Sequence, residues 1–293
     1  MHSFLRAIGF SKIKKNLDMD TIINEIIENP DNKMIAEDNQ NNVFVELTKD
    51  YGECIGIAVR GEYREEDIFH ADYYYPYFIG AGISTEEKID IEKHAEKESY
   101  AGVCDEIKIG VTLIFYLQNI IDYLNWKRTS NNKKQNVNTT LSALSISGTI
   151  VLPIQKDETR LKDNEKLTSN RNHLIAAARD GDEDAIESLT LEDIDTYSML
   201  SRRIIKEDVL SIVDTYFMPY GIESDQYSIL GEIIDYSTIE NRATNEKIYI
   251  LTIDSNDLVF DVCINKEDLL GEPVVGRRFK GNIWMQGNVN YLN

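Results

Sequence analysis

Residues 279–291 alternate strictly. Phe279, Gly281, Ile283, Met285, Gly287, Val289 and Tyr291 stand against Lys280, Asn282, Trp284, Gln286, Asn288 and Asn290. A period of two predicts a β-strand with one face buried. Gly281 and Gly287 fall on the apolar face, where a missing side chain lets a strand bend or another backbone approach, as in a small closed barrel. Runs 227–234, 247–254 and 258–264 are rich in β-branched and aromatic residues and predict three more strands, with Leu258, Phe260, Val262 and Ile264 on one face. Run 208–218 also alternates, ends at Pro219-Tyr220-Gly221, and is read as the first barrel strand. Residues 265–273 spell one helical turn: Asn265 as N-cap, acids in the first turn, Gly271 past the end and Pro273 as the stop.

Toward the N-terminus the period changes more often. Ser3 can cap a short helix with Phe4, Leu5 and Ile8 on one side, Gly9 at its end and Phe10 placed to touch Leu5; a short strand is the alternative. Ile22, Ile23, Ile26 and Ile27 recur at helical spacing over 21–28, before Pro30. Strand patterns then cover 34–36, 43–47, 54–59, 68–79, 89–95 and 107–116, separated by turn residues. Residues 111–124 are apolar at nearly every position, which leaves strand and helix both open. Residues 125–140 read as a solvated loop, 146–154 as a strand, and 157–170 as a charged linker. Helical patterns follow at 171–179, from Asp182, and again from Thr190, where Thr190-Leu-Glu-Asp193 resembles a capping box.

The expected fold is α+β. Residues 1–155 form an antiparallel sheet with packed helices, 156–206 a linker and helical connector, and 207–293 a five-stranded β-barrel.

Composition narrows the function classes. With 42% hydrophobic residues and five prolines among 293, the chain can bury a sizeable core. The formal net charge is −20 and each of the three segments is net acidic, so a counterion-displacing nucleic-acid surface is disfavoured, as is an anionic membrane. Cys54, Cys104 and Cys263 have neither zinc spacing nor an even count and are expected as buried thiols. No apolar run reaches the roughly 18 residues of a membrane span and no signal-peptide pattern opens the chain, which predicts a cytoplasmic protein.

Three constellations could carry chemistry. In an extended 89–98, Glu92, His94 and Glu96 share a face and could hold a divalent cation or a general base; an exposed acidic strand looks the same. His70 and Asp72 form a second such pair, directly before Tyr73, Tyr75 and Tyr77, whose rings could make a ligand platform or pack on the neighbouring strand. Arg277 and Arg278 are the third, between Gly276 and Gly281, with Trp284 and Gln286 further along the same strand as ligand-binding candidates. Alternation places Arg277 on the apolar face, where it needs a carboxylate partner, and leaves Arg278 exposed. No nucleotide-binding, nucleophile-elbow or zincin motif is present, and no cofactor is expected.

Three stretches carry a resemblance: H-x-F-L-R-A-I-G-F over 2–10, A-R-x-G-D-E with L-T-L-E-D-I-D-x-Y-S over 178–198, and G-E-P-x-x-G-R-R-F-K-G-x-I-W-x-Q-G over 271–287. In these the chain resembles, over its full length, an uncharacterised family of Firmicutes, mainly gut clostridia, known as a domain of unknown function. The resemblance implies no activity. The residues point to a non-catalytic binding or regulatory protein for a protein or small-molecule partner, with its site at the junction of the two β-rich parts. A metal-assisted hydrolase using His94 or His70 is the alternative, and an oligonucleotide-binding barrel is a third reading, weakened by the acidity of the C-terminal segment.

Overall fold

The small sheet begins where the isoleucine-spaced helix ends. A computed structural model describes residues 2–13, 16–37, 43–63, 68–93, 99–129, 137–154, 173–178, 181–204, 208–221 and 224–291. Helix α1 (Asn16–Glu28) leads into an antiparallel sheet of β1 (Asn32–Glu37), β2 (Val43–Asp50), β3 (Ile55–Tyr63) and β4 (Phe69–Phe78), in that order. Val45, Leu47, Ile57 and Val59 are fully buried in one core with Met19 and Ile26 of α1, which packs on β2 and β3.

The second sheet is built from strands on both sides of the 156–206 segment. It comprises β5 (Asp90–Lys93), β6 (Tyr100–Glu106), β7 (Val111–Leu117), β8 (Val137–Val151), β9 (Tyr216–Pro219), β10 (Gln226–Glu240), β11 (Lys247–Ser255), β12 (Leu258–Asn265), β13 (Leu269–Leu270) and β14 (Arg278–Tyr291). Its pairings run from β8 to β12, β11, β10 and β14, and β14 pairs again with β8. Leu258, Phe260, Val262 and Ile264 share one buried face as expected, packed with Phe279, Ile283 and Met285. Opposite-facing Cys263, Leu144 and Trp284 join the other core, with the small sheet. Both faces of this part of the sheet are therefore covered, and the strict alternation of 279–291 does not translate into one wet face: residues 283–287 are all buried.

Between the two sheets lies the opening segment. Ser3–Ile8 is a 3-10 helix rather than an α-helix, capped by no side chain at His2 and ended by Gly9 in the left-handed region (φ 93°). Phe10 N–H donates to the Leu5 carbonyl at 3.1 Å, the wrap-around bond of a Schellman ending. Its buried Phe4, Leu5, Ala7 and Ile8 are locked from the second sheet: Asn241 donates to the Ile8 carbonyl (2.7 Å), Thr244 to the Gly9 carbonyl (2.7 Å), and Arg6 pairs with Asp268.

Elsewhere the local grammar was overridden by tertiary packing. The 111–124 run is both things in succession: β7 ends at Leu117 and helix α2 (Ile120–Thr129) takes over, turning the start of the expected loop into helix. Thr190 caps nothing, because α3 (Glu183–Ile204) runs through it and its hydroxyl donates back to the Ile186 carbonyl at 2.7 Å. The expected 208–218 strand is split into the four-residue helix α4 (Val209–Ile212), capped by Asp208 at Leu210 N–H, and β9. The N-cap at Asn265 is as expected, its side chain accepting from Glu267 N–H, but the turn is a 3-10 one that ends at Asp268, before Leu269–Leu270 join β8 as β13, so Gly271 does not end it. All three cysteines are free, Cys104 and Cys263 buried and Cys54 half-buried. Burial pushes the Cys54 thiol up to about 11 and Cys104 up to about 12. Among the described residues no helix is long and apolar enough to cross a membrane.

Candidate functional site

One row of side chains crosses the small sheet: Glu46 on β2 pairs in register with Arg60 on β3, which pairs with Tyr73 on β4. The row stands on the face turned toward the second sheet, above a floor of small residues. Tyr75 lies across from Ala58 and Tyr77 across from Gly56, so the rings fill the volume that those residues leave.

Arg60 is 5% exposed, yet none of its donors is wasted. Its Nε donates to Glu46 Oε2, Nη1 to the hydroxyls of Tyr73 (2.9 Å) and Tyr116 (3.1 Å), and Nη2 to the Tyr75 hydroxyl (3.0 Å) and the Gln118 carbonyl (2.9 Å). Burial alone would lower the guanidinium pKa; Glu46 and the surrounding tyrosines act the other way, and the net direction is upward. Burial likewise raises Tyr75 and Tyr116 well above the usual phenol range, opposed by the cation beside them. The cluster joins the two sheets, since Tyr116 and Gln118 come from β7 and its exit. A short amide network continues the seam: Gln118 Nε2 donates to Gln286 Oε1 (2.7 Å), and Gln286 Nε2 to the Pro76 carbonyl (2.9 Å).

Beside this row opens a cavity of about 280 Å³, walled by Val43, Phe44, Ile120 and Ile121 and bordered by Glu46, Arg60, Glu62, Asp72 and Tyr73. A β-bulge shapes it. Arg60 faces Tyr73 but Gly61 faces Ala71, so Asp72 is the extra residue of β4 and is turned out of the regular alternation. Gly61 makes the bulge feasible: a Cβ there would lie 2.0 Å from the His70 carbonyl oxygen. Glu46, 3% exposed, spends one oxygen on Arg60 Nε and the Tyr75 hydroxyl (3.0 Å).

The residues singled out in the sequence meet different fates. Tyr73 borders the cavity, Tyr75 is buried against Arg60, and Tyr77 donates to Asp50 Oδ1, so the tyrosine row packs on its neighbouring strands. Trp284 is buried, donating from Nε1 to Asp225 Oδ2 (2.7 Å) and packed against His2 (ring centroids 4.7 Å), Phe4 and Tyr116. Gln286 is wholly buried with its amide engaged in the seam. His70 and Asp72 are exposed, as is Glu92, whereas His94 and Glu96 lie outside the described residues. Among the described residues no three His, Cys, Asp or Glu side chains gather as metal ligands.

The arginine pair is the reverse of the expectation. Arg278 is 3% exposed, and the half-buried Arg277 side chain has one hydrogen bond among the described residues, to the Glu272 carbonyl at 3.4 Å. The strand begins at Arg278, so the rule of alternating faces does not reach Arg277. The even face at Arg278 is covered by chain on either side of the connector: its five N–H groups go to the carbonyls of Leu152 (3.0 and 2.7 Å), Leu210 (2.7 Å), Val213 (2.7 Å) and Asp214 (3.1 Å). Burial lowers its pKa, and the nearby Asp214 and Glu232 oppose that.

Sequence reasoning missed Arg60 and Glu46. The signal was an arginine on the Gly56–Ala58 face of an otherwise apolar strand, with one glutamate interrupting Val45 and Leu47 on the strand before it. A charge at a core position of one strand asks for its opposite on the next.

A protein of two packed sheets joined through a buried ion pair and its tyrosines, with a cavity between the small sheet and α2, is the class that these features define. The family model described as "Domain of unknown function, E. rectale Gene description (DUF3881)" matches residues 5–287, and the chain belongs to that family. No curated protein and no solved structure matches it.

Proposed function

We propose that this is a non-catalytic ligand-binding or regulatory protein whose site is the cavity between the small sheet and α2, lined by residues within 43–121 and so inside the N-terminal part rather than at its junction with 207–293. The observation that carries the reading is the immobile wall of that cavity. Arg60, with every donor satisfied, fixes Glu46 and Tyr73 at its border, and the neighbouring surface is apolar, the arrangement of a preformed small-molecule site. The bulge at Gly61 adds to it by turning Asp72 toward the opening. The returning pairings from β8 through β12, β11, β10 and β14 support a small barrel, but one that takes β8 from 137–151 in place of the 208–218 segment expected as its first strand, since β9 pairs only with β10 off that path.

Nothing among the described residues favours the hydrolase alternative, since His70 is exposed and no carboxylates converge on it as ligands. A thermal-shift screen of the full chain against a metabolite library tests the binding reading, with Val43→Trp, at a 44% exposed position on the cavity wall, as the control. Compounds that stabilise the native chain and lose their effect in Val43→Trp are expected. A library with no such compound would set the reading aside.

A further inference from the structure

Resting on that reading of the cavity, we infer that its ligand is an uncharged molecule with a ring-sized apolar body: an aryl or fused-ring compound that carries no ionised group. The charges at the border are already spent within the chain. All five N–H groups of Arg60 go to Glu46, three tyrosine hydroxyls and the Gln118 carbonyl, and Glu46 accepts from both Arg60 and the Tyr75 hydroxyl. Glu62, Asp72 and Tyr73 likewise hold interactions of their own. An anion would have to take a donor from Arg60 that the fold is using, and a cation would have to draw a carboxylate from its present partner. Either ion gives up its hydration for a bond that replaces one already made, so its charge adds a cost without a matching gain.

What the cavity has in surplus is apolar surface. Val43 and Phe44 at the start of β2 and Ile120 and Ile121 at the start of α2 line one space. Ile120 and Ile121 are buried while Val43 is exposed, so the apolar wall runs from the mouth inward. Covering that wall is the gain left for a ligand to make, and it asks for area rather than charge. Size narrows the class further. A closed apolar cavity of about 150 Å³ accepts one benzene ring, so this space of about 280 Å³ has room for two fused rings, or one ring with a short chain. Phe44 offers such a ring an offset or edge-on partner.

The test titrates three indoles with one shared body into the full chain by calorimetry: tryptophol, which is uncharged, tryptamine, a cation, and indole-3-acetate, an anion. Tryptophol is expected to bind about tenfold or more tightly than either ion, with the negative heat-capacity change that marks burial of apolar surface. Its affinity should not change when the salt is raised from about 0.05 to about 0.5 M, because no charge is paired on binding. Val43→Trp, which fills the mouth, should abolish binding. Where Val43→Trp fails to fold by circular dichroism, Val43→Glu replaces it, with an expected loss of at least about fivefold for tryptophol. Tryptamine or indole-3-acetate binding as well as tryptophol, in a manner removed by the Val43 variant, overturns the uncharged class and leaves the site standing. No binding by any of the three overturns the class as well, and the metabolite screen then decides separately whether the cavity binds anything.

Discussion

Two arginines are buried to the same degree in this protein, and they are kept there by opposite means. Arg60 is met by a carboxylate and three phenols, side chains brought from β2, β4 and β7. Arg278 is met by main-chain carbonyls alone, from segments at 152 and 210–214 that flank the connector. A carboxylate neutralises the buried cation but brings its own desolvation cost, while carbonyl dipoles cost nothing further and would otherwise have needed partners of their own. The first arrangement borders a cavity. The second leaves nothing over, and acts as a clasp that brings the chain before the connector to the chain after it.

The sharpest way to break the comparison is to remove one partner at the first site. Glu46→Ala leaves Arg60 buried with phenols and one carbonyl, and should cost about 3–5 kcal/mol in denaturant unfolding. Against total stabilities of roughly 5–15 kcal/mol that is a large fraction. Glu46→Leu combined with Arg60→Met removes both charges and should recover most of the loss. Failure of the double variant to recover would show that the tyrosine hydroxyls, not the ion pair, hold the two sheets together.

Arg278→Met is the matching test of the second site and should cost less, about 2–3 kcal/mol, because no opposite charge is orphaned and the freed carbonyls near the connector can turn to water. Arg278→Lys keeps the charge but supplies three donors in place of five, and should fall between the parent and Arg278→Met. Equal losses for Glu46→Ala and Arg278→Met would erase the distinction between the two sites.

Alkaline titration sharpens it from another side. Tyr75 and Tyr116 have pKa values raised above the ordinary 10.0, principally by burial. Unfolded tyrosines release their protons first as the pH passes 10, so the unfolded state then binds fewer protons than the folded one, and stability is lost as pH rises. Each such hydroxyl contributes a slope of about 1.4 kcal/mol per pH unit. Tyr75→Phe should lessen the decline above pH 10 and leave stability below it without slope change, whereas Arg278→Met, whose nearby charged groups are the carboxylates Asp214 and Glu232 rather than raised tyrosines, should leave the decline as it was. Urea midpoints measured between pH 8 and 11 would show either result.

What the sequence disclosed and what it hid divide along the same line. The β12 face, the N-cap at Asn265 and the Gly9 ending are local patterns, and each was legible because period or turn chemistry within about ten residues decides it, whereas the single sheet expected over 1–155 divides, with only β1 to β4 in the small sheet and β5, β6 and β7 in the second. The site was not, because it depends on register. Only pairing shows that Glu46, Arg60 and Tyr73 stand in one row, and only the bulge at Gly61 shows that Asp72 leaves the alternation. The membership of β8 with β12 and β14 was equally hidden, since the two segments lie more than a hundred residues apart and nothing local marks them as neighbours. Trp284 and Gln286 resembled an open polar face for the same reason: that face of β14 is covered by the opening segment and by β4, brought from the far end of the chain.

The smallest effect expected is at Arg277, and it is informative because alternation alone points to a large one. Counting faces backward from Phe279 puts Arg277 on the apolar side, yet it precedes the strand, sits half-buried, and makes a single long side-chain bond among the described residues, to the Glu272 carbonyl. A cation that water can still reach loses little when it is removed, so Arg277→Ala should shift stability by no more than about 0.5 kcal/mol. Side by side in a urea series, Arg278→Met should then exceed Arg277→Ala several-fold, although the two residues are adjacent. A loss at Arg277 as large as that at Arg278 would mean that the clasp on the connector is a property of the whole turn between Gly276 and Phe279, and would transfer the role assigned to five hydrogen bonds of one side chain to the backbone that presents it.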